Sequence, residues 1–136
     1  MRIARVVVGL ALVAFGVWLV SSPSLVAEWL SRPHETVSER INLRASWGGT
    51  VLGLGAFVAW LPALAPWPRT AIGLLLWAMA GIGAARAVGF VLDGRPDGLQ
   101  WVWLIAEVVL VVVAAVALVI MARRAAARRA GVESNG

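Results

Sequence analysis

The chain of 136 residues carries 61% hydrophobic side chains, a mean hydropathy of +0.87 and a formal charge of +5. A soluble domain is about half apolar, so this excess points to lipid as the solvent and to one bilayer-embedded domain. The lack of cysteine excludes disulfides, thiolate chemistry and cysteine-based metal sites, and nucleic acid is not an expected partner, because all 12 basic residues are arginines that mostly flank apolar runs.

Four apolar runs are long enough to cross about 30 Å of hydrocarbon, which takes roughly 20 residues at about 1.5 Å each. None alternates with period two, which argues against a β-barrel and for an all-α membrane protein, a four-transmembrane-helix bundle. The first helix is expected over residues 3–21, with Arg5 as its one charge, at its mouth. Arg2, Arg5, the apolar run and Leu25-Val26-Ala27 resemble the three regions of a cleavable signal peptide. The run is too long for that, and Leu25 is larger than the small residue such a site prefers, so the segment reads as a retained helix. Ser21-Ser22-Pro23 ends it, because proline lacks a backbone donor and restricts the residue before it.

Residues 24–41 form the longest connection and hold Glu28, Arg32, His34, Glu35, Glu39 and Arg40. Leu25, Val26, Trp29 and Leu30 within it fit a short interfacial helix with Trp29 at headgroup level. His34 reads as a solvated loop residue, since a metal site needs two or three further ligands of the right kind. Ser38 is the predicted N-cap of a second helix over residues 39–64, which is free of charge from Arg44 onward. Pro62, Pro66 and Pro68 mark the turn after it, and a third helix is expected over 69–92 with Arg86 as its one internal charge. Asp93-Gly94-Arg95-Pro96-Asp97-Gly98 is a strong turn signal. A fourth helix is expected over 98–122 with Glu107 inside it, which makes 1–122 one membrane domain and leaves 123–136 as a basic, disordered cytoplasmic tail.

Arginine distribution sets the expected orientation. With the N-terminus inside, Arg2, Arg5, Arg69, Arg123, Arg124, Arg128 and Arg129 lie on the inner side. Arg32, Arg40, Arg44, Arg86 and Arg95 then share the outer half with Glu28, Glu35, Glu39, Asp93, Asp97 and Glu107. This asymmetry predicts that both ends are cytoplasmic. The tryptophans agree, with Trp18, Trp29, Trp47, Trp101 and Trp103 toward the outer interface and Trp60 and Trp67 toward the inner. The basic C-terminal residues would meet anionic lipid.

Charges inside apolar runs are the candidate functional residues, because even the lowest scale places an Arg or Asp at mid-membrane at roughly 2.5–3.5 kcal/mol. Arg86 sits about 10 Å below the end of its helix, Glu107 about 13 Å below the start of its own, and Arg44 about 8 Å into the second helix. A short turn makes the third and fourth helices antiparallel neighbours, so Arg86 and Glu107 are expected to pair, and with Arg44 and Asp93 to form one polar cluster. The cluster is either a clamp that fixes helix rotation or a ligand site. Gly48, Gly49 and Gly53 in the second helix, and Gly81 and Gly89 in the third, are spaced as small residues are where helices approach closely.

Leu43-Arg44-Ala45-Ser46-Trp47-Gly48-Gly49 with Leu52-Gly53-Leu54-Gly55, and Arg86-Ala87-Val88-Gly89 with Asp93-Gly94 and Pro96 leading to Glu107, resemble the domain-of-unknown-function 4345 family of bacterial membrane proteins. Trp47 stands where that pattern more often has tyrosine. The resemblance implies a four-helix domain of the bacterial cytoplasmic membrane, distantly similar to DoxX-like proteins, and brings no established activity. It picks out Arg44, Gly48, Gly49, Arg86, Asp93 and Glu107.

Three functional readings follow. The first is a non-enzymatic membrane component or complex subunit, in contact with membrane lipid and with a second copy or another membrane protein. The second is a transporter or binder of a small anionic or amphiphilic molecule, since two arginines facing one deep glutamate would leave a positive surplus. A subunit of a membrane oxidoreductase is the third. Catalysis by the chain itself is not expected, and neither a cofactor nor a metal is called for, because nothing is positioned as a nucleophile or a complete ligand set.

Overall fold

The computed structural model describes residues 2–32, 35–61 and 66–133. Every regular element among them is helical. The expectations for His34 and for the turn at Pro62 lie outside the described residues.

The first helix, α1 (Arg2–Ser21), is followed at once by α2 (Pro23–Leu30). Proline near the start of α2 costs no helical hydrogen bond there, and Ser31, at φ 50°, closes the helix in the left-handed region. Val26 and Ala27 of α2 are buried against Leu19 of α1 and Leu43, whereas Trp29 is exposed and its ring lies tilted against Trp18, with centroids 5.7 Å apart. The expected short helix is thus present, with Val26 and Ala27 turned onto the bundle.

The second long helix begins as α3 (Val37–Leu43), widens into a π-helical turn at Arg44–Gly49, and continues as α4 (Thr50–Trp60). Its N-cap is Thr36, not Ser38. The Thr36 hydroxyl accepts from the Glu39 amide at 3.2 Å, and the Glu39 carboxylate accepts from the Thr36 amide at 2.9 Å. This is the reciprocal capping box that Thr-x-x-Glu encodes, and it satisfies two of the orphan donors at the helix start. Ser38 faces away and serves another contact, described below.

Two longer helices complete the chain, α5 (Trp67–Leu92) and α6 (Gly98–Glu133). The last helix is expected to end at 122 before a disordered tail, but α6 runs on to Glu133, past Arg123, Arg124, Arg128 and Arg129. Alanine and arginine are strong helix formers, and no proline interrupts them. Three helical stretches are long and apolar enough to cross a membrane, Ile3–Ser21, Trp67–Leu92 and Gly98–Arg129.

The helices pack in a connected series, α1 on α4, α4 and the π turn on α5, and α5 on α6. Glycine decides how near they come. A Cβ on Gly49 would lie 2.7 Å from the Gly81 carbonyl oxygen, and one on Gly81 would lie 2.5 Å from the Gly53 nitrogen, so the second helix and α5 touch backbone to backbone. Gly48 is pressed on Val20 of α1, and Gly89 on Ile41. All five glycines singled out by spacing therefore sit at helix contacts. Gly9 and Gly16 of α1 do the same against Ala59 and Leu52. Outside these contacts, side chains such as Val102, Ile105, Val109 and Val113 of α6 stay exposed, as an apolar solvent allows.

Candidate functional site

Four ionisable side chains lie buried near the α5–α6 turn: Arg44, Arg86 and Glu107 are each at most 7% exposed, and the Asp93 side chain is 5% exposed. They resolve into two pairs rather than one cluster. Arg44 meets Asp93 through two parallel hydrogen bonds, Nε to Oδ2 at 2.6 Å and Nη2 to Oδ1 at 3.0 Å. Arg86 meets Glu107 with Nη2 2.8 Å from Oε1 and Nε 3.0 and 3.1 Å from the two carboxylate oxygens. Such forked pairing is strong and fixes the plane of both groups.

Each arginine also reaches a third element. Nη1 of Arg44 donates to the carbonyl of Val20, in the last turn of α1, where the helix itself supplies no donor. Arg44 thus joins α1, the second helix and the C-terminal end of α5. Nη1 of Arg86 donates to the side-chain oxygen of Gln100, and the Gln100 amide donates at 3.4 Å to the carbonyl of Ser38. Arg86 thus joins α5 to α6 and, through Gln100, to the second helix. Between them the two guanidinium groups touch or bridge to all four long helical segments. Among the described residues no buried side-chain nitrogen or oxygen lacks a hydrogen-bond partner.

Arg86 stands opposite Glu107, as their equal depth predicts. The expected single cluster with a positive surplus is not found: two buried arginines face two buried carboxylates in separate pairs. Arg40 approaches Asp93 from the exposed side, Nε to Oδ1 at 3.5 Å. Gln100 and the Val20 carbonyl join these pairs without a signal in the sequence. At the opposite end of the bundle Nη1 of Arg5 donates to the carbonyl of Leu61 at 2.5 Å, tying the start of α1 to the end of α4.

Above the buried pairs, outside the apolar segments, the Ser38 hydroxyl donates to Asp97 Oδ2 at 2.6 Å and the Gln100 backbone N–H donates to Asp97 Oδ1 at 2.9 Å. The Ser38 hydroxyl first, then the backbone amides of Gln100 and Leu99, hold the Asp97 carboxyl below its ordinary value. A lowered carboxylate contributes stability that is full above the unfolded value, near pH 4, and is lost as pH falls through the lowered one. Melting in detergent is therefore expected to hold from pH 7 to about 5 and to decline in more acidic buffer, with Ser38→Ala flattening part of the decline. An unchanged acid limb in that variant would remove the contact from the account.

Among the described residues no three histidines, cysteines or acids stand close enough to hold a metal ion. The π turn Arg44–Gly49 coincides with the arginine and double-glycine motif. One extra residue in that turn is what lets Arg44 face Asp93 while Gly48 and Gly49 face α1 and α5.

A family model described as a domain of unknown function, DUF4345, matches residues 1–118. No curated protein and no solved structure matches the chain.

Proposed function

From its membership of the DUF4345 family, to which the chain belongs over residues 1–118, and from the geometry above, we propose that it is a non-enzymatic component of a bacterial cytoplasmic membrane, a rigid helical scaffold within a larger assembly. The observation that carries this reading is the closed pairing of its buried charges. A site that captures an anion keeps a cation unmatched until the ligand arrives, whereas here Arg44 and Arg86 already face Asp93 and Glu107. Ions matched inside the protein fix helix rotation and register.

The scaffold spans the bilayer four times. The rod from Val37 to Trp60, interrupted only by its π turn, is roughly 36 Å long, enough to cross about 30 Å of hydrocarbon. Its path across the membrane returns the chain to the side it started from, and arginine asymmetry makes that side the cytoplasm. Impermeant maleimide should then label Glu35→Cys and Arg95→Cys in intact cells, and reach Arg69→Cys and Arg129→Cys only after lysis. The natural chain has no cysteine to interfere.

The scaffold reading is tested by particle mass in a mild detergent. A complex heavier than the 14.4 kDa chain, holding a second copy or another membrane protein, is expected. A chain that runs alone, and whose melting rises when small anionic metabolites are added, would instead favour a transporter.

A further inference from the structure

A groove of about 300 Å³ opens sideways between the second helix, α5 and α6. Its lower walls are Met79, Ile82, Ala106 and Leu110, all apolar, and Arg86 and Glu107 form its back. At its upper end Asn42 and Ser46 are both exposed. The Ser46 hydroxyl donates to Asn42 Oδ1 at 3.4 Å, which leaves the Asn42 amide hydrogens with no acceptor among the described residues. In water that would mean nothing. On a face that meets lipid, an unfilled amide donor favours an occupant that carries an acceptor to that point.

Depth and charge specify the occupant. Asn42 lies five residues into the second helix and Trp103 five into α6, so both stand about 7–8 Å below their helix starts. Tryptophan marks the headgroup boundary. Esters of glycerolipids sit at that boundary, with the acyl chain directed inward, along Ile82 and Ala106 to Met79 and Leu110. The two charges that line the groove, Arg86 and Glu107, are paired with each other and leave no positive excess there. An anionic headgroup therefore gains nothing there.

We propose that this groove is a lipid site that takes one acyl chain of a glycerolipid without net charge, its ester carbonyl accepting from the Asn42 amide. The site rests on the membrane-spanning reading above but not on the scaffold role. Its test uses the full chain in phosphatidylethanolamine nanodiscs doped with a phosphatidylethanolamine that bears a diazirine midway along one acyl chain. After irradiation, labelling is expected to concentrate on Met79, Ile82, Ala106 and Leu110, above that on the open α6 face at Val109 and Val113. Asn42→Leu should reduce this enrichment roughly fivefold, the worth of one net hydrogen bond, with melting unchanged because the side chain is exposed. Ala106→Phe, which fills the groove, should abolish it even if Asn42→Leu folds poorly. Excess unlabelled phosphatidylethanolamine should compete, and phosphatidylglycerol should compete less. Uniform labelling of every exposed apolar face, enrichment that survives both substitutions, or stronger competition by phosphatidylglycerol would overturn the site. Absence of labelling from all helices would instead overturn the membrane reading beneath it.

Discussion

Glu107→Gln is expected to cost about 3–5 kcal/mol of stability, the usual consequence of stranding one member of a buried ion pair. Arg86 is 4% exposed and spends two of its nitrogens on the Glu107 carboxylate. Glutamine keeps the shape of glutamate but offers one oxygen and no charge, so the guanidinium would remain buried with two neutral amide oxygens before it and no counter-charge. The consequence extends beyond the pair, because Gln100 is held by Arg86 and in turn reaches Ser38. The melting temperature in detergent should fall by far more than for an exposed substitution such as Glu28→Gln. The α5–α6 contact should loosen first, readable as faster hydrogen exchange in α6 than in α1. Unaltered melting would mean that the pair contributes nothing to the fold.

Gly81→Val carries the second large effect. At this crossing the α5 backbone lies against Gly49 and Gly53, and the nearest atoms to an added Cβ are main-chain atoms, with the Gly53 nitrogen at 2.5 Å and its Cα at 2.7 Å. Side chains can rotate away from a new methyl group, but a helix backbone yields only by moving the whole rod. Overpacking of this kind costs about 3 kcal/mol or more, at or above the upper end of the range for cores. Displacing α5 would also pull Arg86 and Asp93 from their partners, so the penalties compound. Gly83→Ala is the matched control two residues on. Its Cβ would meet Glu107 Cβ at 3.5 Å, an ordinary contact, and removing a helical glycine should be neutral or stabilise by about 0.5–1 kcal/mol. Equal behaviour of the two variants, by melting or by yield of folded protein, would refute the backbone-to-backbone crossing.

The long helices were legible because each is an apolar run bounded by proline, serine or a turn, and a bilayer imposes length on such runs. The Arg86–Glu107 pair was legible for a related reason. A short turn forces α5 and α6 antiparallel, and counting residues from the turn gives both charges the same depth. Arg44 was harder. Its partner depends on how the second helix is rotated against α5, and that rotation is set by the π turn at Arg44–Gly49, a one-residue change in hydrogen bonding that leaves no mark in composition. Asp93, expected in one cluster with Arg44, Arg86 and Glu107, turns to Arg44 and away from the Arg86–Glu107 pair.

Other misses had visible signals. Thr36-Val37-Ser38-Glu39 is the spacing of a capping box, and weighing Glu39 would have favoured Thr36 over Ser38. Gly9 and Gly16 are seven apart on α1, the same small-residue logic that identified Gly49 and Gly81. The alanine and arginine run after residue 122 has high helix propensity, which the bilayer boundary obscured. Nothing in the sequence signals that the Val20 carbonyl receives Arg44, because that contact is made across helices whose only common marker is nearness to the same end of the bundle.

A double-mutant cycle in detergent unfolding reads the coupling between Arg86 and Glu107 directly. Arg86→Met and Glu107→Leu, each alone, should be strongly destabilising, and the two together should regain most of the loss, leaving a coupling of about 2 kcal/mol or more. Losses that simply add would show two independent residues, and the charge-locked scaffold would have to be given up.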